Sequence, residues 1–270
     1  MMLPIDTEVL LALTIRAGAL TLKWWRQAPE VIAKADASPV TAADLAAHHM
    51  ILASLNELTP DIPVLSEEDA QIPLANRQNW QRFWLVDPLD GTKEFIDGTE
   101  EFTVNIALIE QGQVSFGVVA VPARDAIYWG GQALGAWRRI GNGQASPIQC
   151  RKAADRLTVV ASRRHTSPEQ EALLSRLKTV QDIELVNIGS SLKFCLLAEG
   201  NADLYPRFAP TSQWDTAAAQ AILEGAGGQV LGLTGERFNY PQRESWLNPH
   251  FVAAGQLSPE LLATLQLGGQ

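Results

Sequence analysis

The chain has 270 residues, 46% of them hydrophobic and 19% charged, a balance that suits a globular protein of one large domain or two packed ones. Its 30 acidic residues outnumber 21 basic ones for a formal charge of -9, which argues against polymeric nucleic acid as a partner. A small anionic substrate stays compatible with that charge, because a bound cation reverses the sign locally.

Met1-Met2-Leu3-Pro4-Ile5-Asp6-Thr7-Glu8 lacks the basic region of a signal peptide. Apolar runs such as Val118 to Val121 are too short to span a bilayer. The cysteines, Cys150 and Cys195, have no C-x-x-C spacing and read as reduced structural thiols. These features predict a cytoplasmic protein. Peripheral attachment to the cytoplasmic face of the inner membrane stays open, as does the choice between monomer and dimer.

Asp6 is placed to cap a first helix, with Val9, Leu10, Leu13 and Ala17 on one face. Ala28 to Pro39 reads as a loop or short hairpin, and a second helix runs from Thr41 to about Leu58. Pro63 to Ser66 is a short strand ending at Glu67-Glu68-Asp69, followed by an exposed connection from Ala70 to Gln81. Phe83 to Val86 reads as a buried strand ending in an acidic turn. Thr103 to Ile109 and Val114 to Val121 form a predicted hairpin around Gln111-Gly112, with further strands near Ala126 to Trp129 and Gly135 to Arg138. The loop Gly141 to Pro147 marks a predicted boundary between an α+β domain (1–145) and an α/β domain (146–270). In the second, strands at Leu157 to Ala161, Ile183 to Asn187 and Asp203 to Tyr205 alternate with helices at Pro168 to Leu177, Ser190 to Glu199 and Trp214 to Glu224.

The chemistry concentrates in Asp87-Pro88-Leu89-Asp90-Gly91-Thr92. Two carboxylates three residues apart repel unless a cation sits between them, and Mg²⁺ suits such hard oxygen ligands and a phosphate substrate. Proline stiffens the turn, and glycine allows close backbone approach to a ligand. Asp44, Glu67 and Asp215 also sit where a strand ends or a helix begins. Taken singly, Asp44 completes a capping box with Thr41, Glu67 is a solvated loop acid and Asp215 is a helix N-cap. Taken together, such ends meet at one sheet edge, where gathered acids build a two-metal site for in-line displacement at phosphorus.

Thr92 reads equally as a helix cap or as the hydroxyl that holds an attacking water. The amides of Gly91, Thr92 and Lys93 form an anion nest if a helix begins there. Arg163, Arg164 and His165 follow a strand, Gly189-Ser190-Ser191-Leu192-Lys193 opens a helix, and Arg207 follows Tyr205-Pro206. Each is suited to an anion, although any one alone is usually a surface charge or a cap.

Glu67-Glu68, the Asp87 to Thr92 segment and Trp214-Asp215-Thr216-Ala217-Ala218 resemble, collinearly and over most of the chain, the motifs of the inositol monophosphatase superfamily. The segment Lys34 to Asp44, Lys93-Glu94-Phe95, Gly189 to Cys195 and Leu204 to Phe208 narrow the resemblance to its bacterial 3'(2'),5'-bisphosphate nucleotidase branch. That resemblance implies a layered α-β-α-β-α sandwich and a Mg²⁺-dependent, Li⁺-sensitive phosphatase. Its substrate would be adenosine 3',5'-bisphosphate, or 3'-phosphoadenylyl sulfate, in sulfate assimilation.

Carried over residue by residue, Glu67, Asp87 and the Leu89 carbonyl hold one Mg²⁺, and Asp87, Asp90 and Asp215 hold a second. Asp44 and Thr92 orient and deprotonate the nucleophilic water, with a third, weaker Mg²⁺ near Asp44. Backbone amides after Gly91 hold the phosphate oxygens. His165 packs near the adenine, and Ser190, Lys193 and Arg207 contact the nucleotide and its remaining 5'-phosphate. The competing readings are an inositol monophosphate or sugar bisphosphate phosphatase and a non-catalytic, metal-dependent nucleotide sensor.

Overall fold

A computed structural model describes residues 3–27, 31–33, 39–153, 155–162 and 167–265. Asp6 caps α1 (Thr7–Thr21), its carboxylate accepting the Glu8 amide at 2.8 Å. The buried stripe of α1 centres on Leu10, Thr14, Ala17 and Thr21, so Val9 falls outside it and is 42% exposed, contrary to the sequence pattern. β1 (Val31–Ala33) pairs antiparallel with β2 (Pro39–Thr41), and Thr41 caps α2 (Ala42–Leu58).

A seven-stranded sheet follows, in the order β3 (Val64–Ser66), β4 (Arg82–Asp90), β5 (Thr103–Glu110), β6 (Gln113–Val121), β7 (Ala126–Gly131), β8 (Gly135–Ile140) and β9 (Ser146–Ile148). Only β3 and β4 pair in parallel; the remaining neighbours are antiparallel. The β5–β6 hairpin closes through Gln111 (φ 51°) and Gly112 (φ 75°), the paired positive φ values of a two-residue hairpin turn. The Ala70 to Gln81 stretch is not a plain exposed connection. It contains α3 (Leu74–Arg77), and Arg77 is buried, bonded to the Ile72 and Arg243 carbonyls and stacked on Trp246.

The second sheet has five strands, in the order β11 (Asp182–Asn187), β10 (Arg156–Ala161), β12 (Leu204–Arg207), β14 (Phe251–Ala254) and β13 (Gln229–Gly232). β10 runs parallel to both neighbours; β14 runs antiparallel to both β12 and β13. α5 (Pro168–Val180), α6 (Leu192–Ala198), α7 (Ala217–Gly225) and α8 (Pro259–Leu265) complete the described elements, with the short α4 (Thr92–Ile96) following β4.

Strand alternation sorts these elements into layers. Trp84, Val86, Val104, Ile106 and Val118 face α1 and α2, in one core with Leu10 and Ile51. Phe83, Leu85, Ala107, Ile109 and Val119 face the opposite way, onto α6 and α7, in a core that continues to Tyr205, Val230 and Phe251 of the second sheet. The far face of that sheet packs Val159 and Val252 against Leu173 of α5 and Leu261 of α8. The result is an α-β-α-β-α sandwich, with α6 and α7 as its central layer.

Two local outcomes bear on the site. β4 does not stop at Val86 but carries its acids within the strand as far as Asp90, with a register shift on β5 between Asp87 and Asp90. Pro88, which lacks an N–H for the ladder, sits inside that shift. No described helix is long and apolar enough to cross a membrane. Cys150 and Cys195 are buried and unpaired; burial pushes the Cys150 thiol up to about 12 and Cys195 well above its ordinary value, so neither is a nucleophile near neutrality.

Candidate active site

Glu67, at the end of β3, Asp87, within β4, and Asp215, in the turn before α7, bring one carboxylate oxygen each to within 4.8 Å of the others. The parity of β4 places Asp87 on the same face as Phe83 and Leu85, toward the central layer that contains Asp215.

These acids divide their oxygens between folding and the cluster. Asp87 Oδ1 accepts the Leu89 amide at 3.0 Å, while its buried Oδ2 has no hydrogen-bond partner among the described residues. Asp215 Oδ2 accepts the Ser212 amide at 2.9 Å in a capping box. Asp215 is therefore the third residue of a capped turn, and Thr216, not Asp215, is the N-cap of α7. Asp44 Oδ2 accepts from the amide and the hydroxyl of Thr41 at 2.8 and 2.6 Å, completing the α2 capping box, while its Oδ1 lies 3.5 Å from Thr92 Oγ1. The capping box thus occupies one oxygen of the Asp44 carboxylate and leaves the other facing Thr92.

Asp90 stands beside this group of three. Its Oδ2 accepts the Ser191 amide at 2.5 Å, which ties β4 to the entry of α6. Gly91 takes φ 87° as the N-cap of α4, and a Cβ there would come within 3.1 Å of the Glu101 carbonyl and 3.2 Å of Ser190 Cβ. The turn therefore requires glycine for both its backbone and its space. Thr92 is the first residue of α4, and its hydroxyl also reaches the Leu89 carbonyl, at 3.4 Å.

Burial and mutual repulsion raise every one of these carboxyls that shifts. Burial, then Glu67, Asp90 and Asp215, pushes Asp87 well above its ordinary range. Burial, then Asp90 and Glu67, does the same to Asp215. Burial lifts Asp44 to about 6, and lifts Asp90 to about 6 against the opposing pull of Lys193. An all-oxygen donor set that is overcharged for its burial, with one acceptor left unbonded, fits a hard divalent cation.

A cleft of about 130 Å³ opens beside the acids, lined by Asp90, Gly91, Ser190, Lys193, Arg207 and Asp215 among others. Lys193 Nζ donates to the carbonyls of Ser190 (2.7 Å) and Ile188 (3.2 Å) and lies 5.2 Å from the centre of the Tyr205 ring. Burial, aided by Arg207, lowers it to about 8, while Asp90, Glu94 and Glu101 pull the other way. Arg207 is braced on the Ala209 and Pro210 carbonyls at 3.1 and 2.9 Å. Ser190 has φ 48°, strained for a non-glycine residue. His165 lies outside the described residues, as do Arg163, Arg164 and Lys34 to Ser38.

The sequence pattern passed over Thr103, Asn105 and the separate role of Ser191. These buried polar side chains meet beneath Asp90, Thr103 Oγ1 and Asn105 Oδ1 each lying 2.8 Å from Ser191 Oγ. The available signal was a lone Asn in the otherwise apolar run Val104 to Ile109.

The model of the inositol monophosphatase family matches residues 6–267. The 3'(2'),5'-bisphosphate nucleotidase CysQ of Salmonella typhimurium is 54% identical over 222 residues, 82% of this chain and 87% of that one. The Escherichia coli K12 protein of the same name is 51% identical over the same shares. Among solved structures, CysQ from Bacteroides thetaiotaomicron superposes with a TM-score of 0.78 at 40% identity, covering 90% of this chain and 94% of that one. A Thermotoga maritima IMPase, 22% identical with a TM-score of 0.77, shares the fold across 96% of this chain and 95% of its own. The family match runs through all five layers and includes every acid of the cluster: the chain belongs to the inositol monophosphatase family.

Proposed function

We propose that this chain is a Mg²⁺-dependent 3'(2'),5'-bisphosphate nucleotidase that removes the 3'-phosphate from adenosine 3',5'-bisphosphate, and from 3'-phosphoadenylyl sulfate, in the cytoplasmic reactions of sulfate assimilation. The observation that carries the reading is the junction of the acid cluster, Glu67, Asp87 and Asp215, with a cleft lined by Lys193 and Arg207. The Salmonella typhimurium and Escherichia coli CysQ relatives, 54% and 51% identical, direct the choice of substrate.

Glu67, Asp87 and the Leu89 carbonyl would hold one Mg²⁺, and Asp87, Asp90 and Asp215 a second, with a third, weaker site beside Asp44. When bound, these ions supply a water of lowered pKa and offset charge on the phosphate and on the leaving 3'-oxygen. The chain does the rest. Thr92 Oγ1 aims the water, and Asp44 Oδ1 takes its proton, with an affinity near neutrality that suits a general base. The first N–H groups of α4, which have no partner within the helix, hold phosphate oxygens. Ser190, Lys193 and Arg207 would contact the nucleotide and its remaining 5'-phosphate; the adenine contact that the resemblance gives His165 falls outside the described residues. In the division into 1–145 and 146–270, the first part supplies the water-activating groups, and the second closes the cluster with Asp215 and binds the nucleotide.

The test is phosphate release from adenosine 3',5'-bisphosphate and from inositol 1-phosphate, side by side, in Mg²⁺ and in EDTA. Fast release from the nucleotide alone, abolished by EDTA, is the expected result. Preference for the inositol phosphate would overturn the nucleotide contacts, and tight nucleotide binding without release would make the chain a sensor.

A further inference from the structure

Asn105 and Asp87 are direct cross-strand partners on β5 and β4, and Thr103 is the partner of Asp90. Asn105 and Thr103 lie two residues apart, on the face that looks toward α6 and α7. Ser191 arrives on that face from the entry of α6, and its hydroxyl bonds both residues at 2.8 Å while its amide holds Asp90. All three are buried: Thr103 is 0% exposed, Asn105 1% and Ser191 2%.

The bonds have a direction. Asn105 Oδ1 can only accept, so the Ser191 hydroxyl donates to it, and Thr103 Oγ1 in turn donates to Ser191. The Asp87 carboxylate on the paired position selects this face of the Asn105 amide, with Oδ1 toward Ser191 and Nδ2 toward β4. Its Nδ2 is left as a buried donor with no hydrogen-bond partner among the described residues. Asp87 Oδ2, on the paired position, is a buried acceptor in the same condition. Side chains directly opposite in an antiparallel pair start from Cβ atoms about 4.5–5.5 Å apart. Turning the amide over would set its oxygen against the Asp87 carboxylate and lose the present match. A buried polar group without a partner costs about 1–3 kcal/mol, and Asp87 Oδ2 carries lone pairs for both a cation and a donor from the paired position, where Asn105 Nδ2 is the unbonded donor.

We propose that Asn105 is a positioning residue for the acid cluster. The Thr103–Ser191 relay locks its amide so that Nδ2 donates, directly or through one buried water, to Asp87 Oδ2. The bond leaves the carboxylate turned for cation binding. The same serine orients Asp90 through its amide, so one residue of the central layer sets both β4 acids.

The proposal rests on the metal-dependent reading above, and the experiment separates the two. Mg²⁺ is titrated into EDTA-stripped protein, and the rise in melting temperature is followed alongside phosphate release. A wild-type protein that Mg²⁺ neither stabilises nor activates would overturn both readings at once. With a wild-type response in hand, Asn105→Leu is expected to melt near wild type in EDTA but to need about tenfold more Mg²⁺ for half of the thermal shift. Thr103→Val, which keeps shape and removes only the first donor of the relay, is expected to move the Mg²⁺ midpoint in the same direction by a smaller factor. It serves alone if Asn105→Leu does not fold. Unchanged Mg²⁺ midpoints in the folded variants would overturn the proposal, as would equal losses of melting temperature with and without Mg²⁺.

Discussion

Thr92 Oγ1 stands between Asp44 Oδ1, at 3.5 Å, and the Leu89 carbonyl, at 3.4 Å. Asp44 belongs to α2 and Thr92 to α4, so this pair joins the helical layer to the end of the strand that carries Asp87 and Asp90. Both contacts are long for a hydroxyl bond, which leaves the hydroxyl able to turn toward a water. Thr92→Val keeps the shape and removes that hydroxyl. Its kcat is expected to fall about 10²–10⁴-fold with little change in KM or melting temperature, and Thr92→Ser should recover most of the loss. Steady-state kinetics beside a melting curve check this; an unchanged kcat for the valine variant would remove Thr92 from the reaction.

Metal removal has a pH signature of defined sign. Asp44 and Asp90 sit at about 6 in the fold, above their ordinary 3.8, chiefly because they are buried. A carboxyl raised on folding lowers stability fully above its folded pKa, and the penalty fades as pH falls toward the unfolded value. Metal-free protein is thus penalised most at pH 7 and above and relieved between about pH 6 and pH 4. Bound Mg²⁺ favours the ionised acids and offsets the penalty. The difference in melting temperature between Mg²⁺ and EDTA is therefore expected to be widest above pH 7 and to shrink toward pH 5. At about a hundredfold excess over Kd the gain is about 2.7 kcal/mol, or about 5–10 °C for a domain of this size. A gap that widens on acidification would contradict the placement of these acids.

Much of this site was legible because acids next to a proline and a glycine after an apolar run have few structural uses. What stayed hidden depends on three-dimensional register. The carboxylates of Asp44, Asp87 and Asp215 each accept a nearby backbone amide with one oxygen, and no spacing rule says where the other points. Thr103 and Ser191 lie 88 residues apart in sequence, and only the packing of α6 on β5 brings them together. β13, β14 and α8 escaped because elements of four to seven residues carry too little periodicity to stand out. Arg77 escaped for the opposite reason: a polar stretch reads as exposed, yet its guanidinium is sealed under Trp246.

Lys193 allows the proposed nucleotide contacts to be tested apart from the chemistry. Its ammonium is buried on the Ser190 and Ile188 carbonyls and partly offset by Asp90, so it is poised toward an anion in the cleft. Lys193→Met retains the stem and removes the charge. KM for adenosine 3',5'-bisphosphate is expected to rise about tenfold, the worth of about 1.4 kcal/mol, with a much smaller change for a substrate that lacks the 5'-phosphate. Equal changes for both substrates would mean that Lys193 only braces the loop.

Gly117 tests the mechanical basis of the cluster. A Cβ at this position would lie 2.1 Å from the Ala218 carbonyl oxygen and 2.7 Å from its carbon, because α7 packs backbone to backbone on β6. The run Ala217, Ala218 and Ala219, all buried, permits that approach, and Asp215 lies two residues before it. Gly117→Ala must push α7 off the sheet, since the obstructing atoms are backbone and cannot rotate away. The expected cost is at the upper end of the about 1–3 kcal/mol typical of overpacking. Because Asp215 moves with the helix, Mg²⁺ affinity should weaken as well. Gly255→Ala is the control: its nearest obstruction is 3.6 Å away and its φ is not positive. That variant should be neutral or gain about 0.4–1 kcal/mol through the unfolded chain. Chemical denaturation with and without Mg²⁺ reads both effects, and a Gly117→Ala protein as stable as wild type would show that α7 can shift without loss.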